Sequence, residues 1–129
     1  MEISIRDKSN YLRGLLITAK KGNQLAEQEK NMIRHCAQTL GFARDFYEDS
    51  LKNLLENKYI SEEPILFVEK EIAESFIVDG LKMALSDDSI GSKEIEWLKS
   101  VAIKNNIDER WFSEKVKNLN NAEATICYT

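Results

Sequence analysis

The feature that most constrains this chain is that it repeats itself. When residue n is set against residue n+65, residues 11–54 fall on residues 76–119 without a gap. Leu12, Leu15, Leu16 and Ala19 fall on Ile77, Gly80, Leu81 and Ala84, and Tyr11 falls on Phe76. Met32, Ile33, Cys36 and Ala37 fall on Trp97, Leu98, Val101 and Ala102. Phe42, Phe46, Tyr47 and Leu51 fall on Ile107, Trp111, Phe112 and Val116, and Lys52-Asn53-Leu54 falls on Lys117-Asn118-Leu119. Within each block the apolar residues follow the i, i+3, i+4, i+7 spacing of one buried helix face. Any two amphipathic three-helix segments agree in apolar pattern to some degree. Here the loops align as well, and loops carry no helical period, which favours duplication. One half alone cannot bury its apolar face, so two like halves should share one core.

The stripes predict about six helices. The first carries Leu12 to Ala19, with Asp7 or Ser9 as its cap and Gly22 as its end. The second runs through Met32, Ile33, Cys36, Ala37 and Leu40 and stops at Gly41. The third carries Phe42, Phe46, Tyr47, Leu51, Leu54 and Leu55. Ser61-Glu62-Glu63-Pro64 reads as a helix start, because serine caps, acids favour the N-terminal dipole and proline fits the first turn. Ile65, Val68, Ile72 and Phe76 follow at helical spacing, as one long helix or as two pieces broken near residue 74. Trp97, Leu98, Val101 and Ala102 mark the next helix, and Ile107, Trp111, Phe112, Val116 and Leu119 the last. Residues 120–129 carry no period and read as a tail, docked through Ile126 and Tyr128. No segment sustains the apolar–polar alternation of a half-buried strand. The expectation is all-α, with residues 1–129 as a single domain of two similar three-helix halves.

Composition narrows the classes. One proline and five glycines among 129 residues allow long helices. No run approaches the roughly 18 apolar residues of a membrane span. Met1-Glu2-Ile3-Ser4-Ile5-Arg6 lacks the apolar region of a secretory signal, so the cytoplasm is the expected location. Two cysteines without metal-type spacing, Cys36 and Cys127, are expected to stay reduced there, with Cys36 as a buried core thiol. The net charge of −4, with lysines alternating with acids as in Glu27-Gln28-Glu29-Lys30, describes a solvated surface. It argues against nucleic acid or an anionic membrane as partner.

The two halves share one loop pattern, an aliphatic residue followed by an acid. The first reads Lys21-Gly22-Asn23-Gln24-Leu25-Ala26-Glu27-Gln28-Glu29, and the second Ser86-Asp87-Asp88-Ser89-Ile90-Gly91-Ser92-Lys93-Glu94. The second resembles the repeated Ala-Asp-Gly-x-Ile-x-x-x-Glu motif of the tellurite-resistance TerB-like family. That fold also forms the N-terminal domain of a membrane-anchored DnaJ-type co-chaperone. The resemblance spans roughly residues 10–119. Asp87 takes the motif aspartate, Asp88 replaces the glycine, Ile90 takes the aliphatic place and Glu94 the glutamate. In the first half Gly22 stands where aspartate belongs, Asn23 replaces glycine, and Leu25 and Glu29 are kept. The resemblance implies a TerB-like helical bundle from a bacterial stress or tellurite-resistance setting. It also implies divalent metal binding by the motif acids; separately, Asp87, Asp88, Ser89, Glu94 and Glu29 would supply the several oxygen ligands that a hard cation such as Ca²⁺ or Mg²⁺ needs if the two loops meet. Gly22 departs from that pattern.

Helix capping accounts for the same residues. Glu29 and Glu94 lie three residues after the natural cap positions Ala26 and Gly91, where a glutamate reaches back to the cap amide. Leu25 and Ile90 precede the cap, where a hydrophobic staple belongs, and Asp87 suits an Asx-type turn. An EF-hand is excluded, since a loop starting at Asp87 needs glutamate where Leu98 stands. His35, the single histidine, flanks an apolar stripe and has no evident nucleophile or base partner. The expected function is a non-enzymatic module that binds another protein, with a divalent-metal sensor as the alternative.

Overall fold

A computed structural model describes residues 3–22, 27–54, 61–84 and 92–118. These residues form six helices and no strand: α1 (Ile5–Lys21), α2 (Glu27–Thr39), α3 (Arg44–Leu54), α4 (Lys70–Ala84), α5 (Ser92–Lys104) and α6 (Glu109–Lys117). The starts of α1, α2 and α3 lie 65 residues before those of α4, α5 and α6. The offset holds in fine detail where α2 and α5 end. Gly41 has φ +91 and Asn106 has φ +58. The Phe42 amide donates to the Ala37 carbonyl at 3.0 Å, and the Ile107 amide to the Ala102 carbonyl at 2.9 Å. Both are Schellman ends with a left-handed residue after the cap, which glycine and asparagine tolerate best.

The core centres on α1 and α4, which pack on each other, with α2 against α1 and α5 against α4. Tyr11 and Phe76, equivalent by the offset, meet edge to face with ring centroids 5.5 Å apart. Two neighbouring contacts follow the same exchange of halves. The Phe76 ring lies against Gly14, where a Cβ would come within 2.5 Å of two ring carbons. The Tyr11 hydroxyl lies against Asp79, which is the offset partner of Gly14, and donates to its carboxyl group. The phenol has one proton, so the Ser75 hydroxyl, 3.1 Å away, donates to the Tyr11 oxygen. Tyr11, Phe76 and Asp79 are all fully buried.

Residues 61–67 are not helical, and α4 begins only at Lys70. The expected helix start at Ser61 is therefore corrected, together with the burial of Val68. The segment is an extended strap whose side chains alternate: Ile65 and Phe67 point into the core, while Leu66 and Val68 are more than half exposed. Side chains distant in sequence take its backbone groups. The Asn105 Oδ1 accepts from the Phe67 amide at 2.8 Å, and its Nδ2 donates to the Ile65 carbonyl at 2.7 Å and to the Val101 carbonyl at 2.8 Å. The Asp7 carboxylate accepts from the Val68 and Glu69 amides at 2.7 and 3.1 Å, capping the start of α4 from α1. The Trp97 indole N–H donates to the Glu62 carbonyl at 2.7 Å. With its backbone bonded in this way, the strap has no need of a helix.

Other expectations are corrected as well. Ser4, not Asp7 or Ser9, caps α1, accepting from the Asp7 amide at 3.1 Å. Phe46 is more than half exposed and stacks on the half-buried Phe42 with centroids 5.4 Å apart. Cys36 is buried as expected, but it is disulfide-bonded rather than a free thiol. Leu55 and the tail at 120–129 lie outside the described residues.

Asn105→Ala strands two buried strap groups and should cost about 2–4 kcal/mol in urea unfolding. Gly14→Ala forces a methyl into the buried Phe76 ring and should cost about 1–3 kcal/mol. An Asn105→Ala variant as stable as wild type would show that the strap is not held this way.

Candidate functional site

Of the four acids proposed from sequence, Asp87 and Asp88 lie outside the described residues, as does Ser89. The other two are described, and each is the third residue of its helix: Glu29 is buried on α2 and Glu94 half-buried on α5. That position agrees with capping by a glutamate three residues beyond the cap. The caps themselves, Ala26 and Gly91, lie outside the described residues.

Glu94 also reaches across the molecule. Its carboxylate sits against Gly22, the C-cap of α1, where a Cβ would overlap the Glu94 oxygen. The first half lacks the motif aspartate at the point where the second half's glutamate occupies the space. The glutamate of one half thus meets the loop of the other. Among the described residues no three histidine, cysteine, aspartate or glutamate side chains stand close enough to hold a metal ion. The described carboxylates therefore do not form a site by themselves.

A second feature is a shallow cleft of about 240 Å³ between α2 and α3, lined by Lys30, Arg34, Glu48, Leu51 and Lys52. Its cations are largely engaged within the chain. Arg34 donates through Nε to Glu48 at 2.7 Å, through one terminal nitrogen to the same carboxylate at 3.3 Å, and through the other to Asn31 at 2.9 Å. Lys30 lies 3.6 Å from Glu27. The bond from Arg34 holds the Glu48 carboxyl below its ordinary range, and Glu48 in turn raises Arg34. The bond from Lys21, at 2.7 Å, similarly lowers Glu62 on the strap. A carboxylate with a lowered pKa contributes stability above its unfolded pKa, and that contribution is lost as pH falls through the folded value. Both pairs are solvent-exposed clamps between elements and contribute little.

In the sequence Asp7 and Asn105 look like ordinary helix-terminal polar residues, and nothing local to them signals their bonds to the strap. The contact between Gly22 and Glu94 likewise has no local signal in either residue. His35 is exposed. Comparison with family models, with characterised proteins and with solved structures finds no match.

Gly22→Asp restores the motif aspartate but places a second carboxylate against Glu94. In chelator it should lower stability by up to about 1 kcal/mol, more at low salt, because like charges then meet at a half-buried point. Adding Glu94→Gln should recover most of the loss. Thermal melts of the single and double variants check this, and an unchanged single variant would contradict the contact.

Proposed function

We propose that this chain is a non-enzymatic, TerB-like protein-interaction module that docks a partner on the outer face of its strap. The observation that supports this is exposure. Leu66 and Val68 are 59% and 56% exposed, with Ile103 at 58% and Ile5 at 83%. Leu66 and Val68 are thus outward apolar side chains of one pinned segment, whose backbone Asn105 and Asp7 hold. Side chains already ordered before binding lose little freedom on binding, which makes them good anchors. Grouped exposed apolar residues mark interaction surfaces more often than single ones do.

The acidic balance disfavours nucleic acid as the partner. No helix among the described residues is long and apolar enough to cross a membrane. The biological setting in this reading, bacterial stress or tellurite resistance, rests on the motif at Asp87, Ile90 and Glu94. The disulfide at Cys36 favours an oxidising compartment, such as a bacterial envelope, over the cytoplasm.

The test is capture of partner from host-cell extract by wild type and by Leu66→Lys with Val68→Lys. Both positions are exposed, so the variant should melt within a few degrees of wild type. Partner recovered by wild type should fall at least tenfold with the variant. Equal recovery by both would remove the strap face from the proposal.

A second reading is favoured by the contact between Gly22 and Glu94, which brings the start of α5 against the first loop. In it, Asp87, Asp88, Glu94 and Glu29 bind Ca²⁺ or Mg²⁺, hard cations that need several oxygen ligands. It predicts that one of these ions raises the melting temperature and that Asp87→Asn with Glu94→Gln abolishes the rise. No rise with either ion contradicts it.

A further inference from the structure

The third helix of each half carries an aromatic ring at the same position, and the two rings meet different surroundings. In the second half the ring is Trp111 on α6. It is half-buried, and the Lys115 ammonium, four residues on, stands over it 5.2 Å from the ring centroid. A cation in that place is attracted by the ring quadrupole. In the first half the ring is Phe46 on α3, which is 54% exposed and stacks on the half-buried Phe42. Ser50 stands where the second half has Lys115, and its hydroxyl donates to the Phe46 carbonyl at 3.0 Å. Among the described residues no cation lies over Phe42 or Phe46.

Two acids border the uncovered ring. Asp49 lies one turn beyond Phe46, and Asp45 lies one turn before Asp49, so the three share one side of α3. Both carboxylates are exposed, and among the described residues neither is in an ion pair. The neighbouring arginines are directed elsewhere: Arg34 bonds Glu48, and Arg44 also acts on Glu48. Like charges four residues apart on a helix repel, and a cation beside them relieves that repulsion. The chain as a whole carries a charge of −4, which draws cationic partners in. We propose that Phe42, Phe46, Asp45 and Asp49 form a docking face for a lysine- or arginine-bearing segment of a protein partner. The partner's cation lies over the Phe46 ring as Lys115 lies over Trp111. The stem of such a side chain covers apolar ring surface while its charged head reaches the acids. This face belongs to α3 and the connection before it, and it does not depend on docking at the strap.

The isotopically labelled full-length chain is titrated with an acetylated octalysine amide at physiological ionic strength and followed by NMR. The amides of Phe46, Asp49 and Ser50 and the ring protons of Phe42 and Phe46 should shift together. An octaglutamate peptide should leave them in place. Phe46→Ala keeps every charge and should weaken octalysine binding by about fivefold, the size of an exposed contact between cation and ring. Ser50→Lys supplies the missing cation from within the chain, because a side chain four residues on leans back over the ring. It should also weaken binding by about fivefold. Ser113→Lys adds the same charge at an exposed position on α6 and should weaken binding by less than about twofold. No shift with octalysine, Phe46→Ala binding as tightly as wild type, or equal losses in Ser50→Lys and Ser113→Lys would each overturn the proposal. So would shifts at Phe46 that grow with protein concentration in the absence of peptide, which would place a second copy of the chain on this face.

Discussion

The contact between Tyr11 and Phe76 is the point on which the rest of the fold depends. Each ring occupies in its half the place the other occupies in its own, and the two meet edge to face at the centre of the core. Only residues beside a two-fold-like axis meet their own equivalents, so the axis passes between them. On either side the exchange is completed with different chemistry. Phe76 needs room, and Gly14 supplies it; Tyr11 needs a hydroxyl partner, and Asp79, at the equivalent place, supplies one. A phenol buried without an acceptor would cost about 1–3 kcal/mol, so changing Phe to Tyr in one half calls for changing Gly to Asp in the other. From this crossing α1 and α4 carry α2 and α5 on their flanks, and those carry α3 and α6.

The halves differ where the molecule has something to present. The strap at residues 61–69 precedes the second half and is bonded by Asn105 from the turn after α5, Asp7 from α1 and Trp97 from α5. Leu40, the counterpart of Asn105, is a plain core residue, so this anchoring belongs to one half alone. The disulfide at Cys36 is equally one-sided, because Val101 stands at the equivalent place. The packed core is duplicated, whereas the anchoring of the strap and the disulfide at Cys36 are not.

The helices were legible because their apolar stripes keep the helical period, and the ends of α2 because Gly41 follows Leu40 directly. The strap was not legible. Ile65, Leu66, Phe67 and Val68 are all apolar, so a period of two and a period of 3.6 fit them equally well, and Ser61 to Pro64 has the composition of a helix start. What decides the matter is the set of bonds from residues 35 to 62 positions away in sequence, which no local pattern records. Phe46 fits its stripe yet is exposed, because α3 lies at the edge of the bundle and has few helices to cover it. At the candidate site the placement of Glu29 and Glu94 in the first helical turn could be read from the loops. The meeting of Glu94 with Gly22 depends on how the halves cross.

If the two halves share one core through α1 and α4, they must unfold together. Native-state hydrogen exchange in rising denaturant measures this directly. The account predicts that the amides of Leu15 and Ile17 in α1 and of Ile77 and Leu81 in α4 exchange only through global opening, with one free energy and one denaturant slope. Separate isotherms, with the amides of one half exchanging at lower free energy and smaller slope than those of the other, would contradict it.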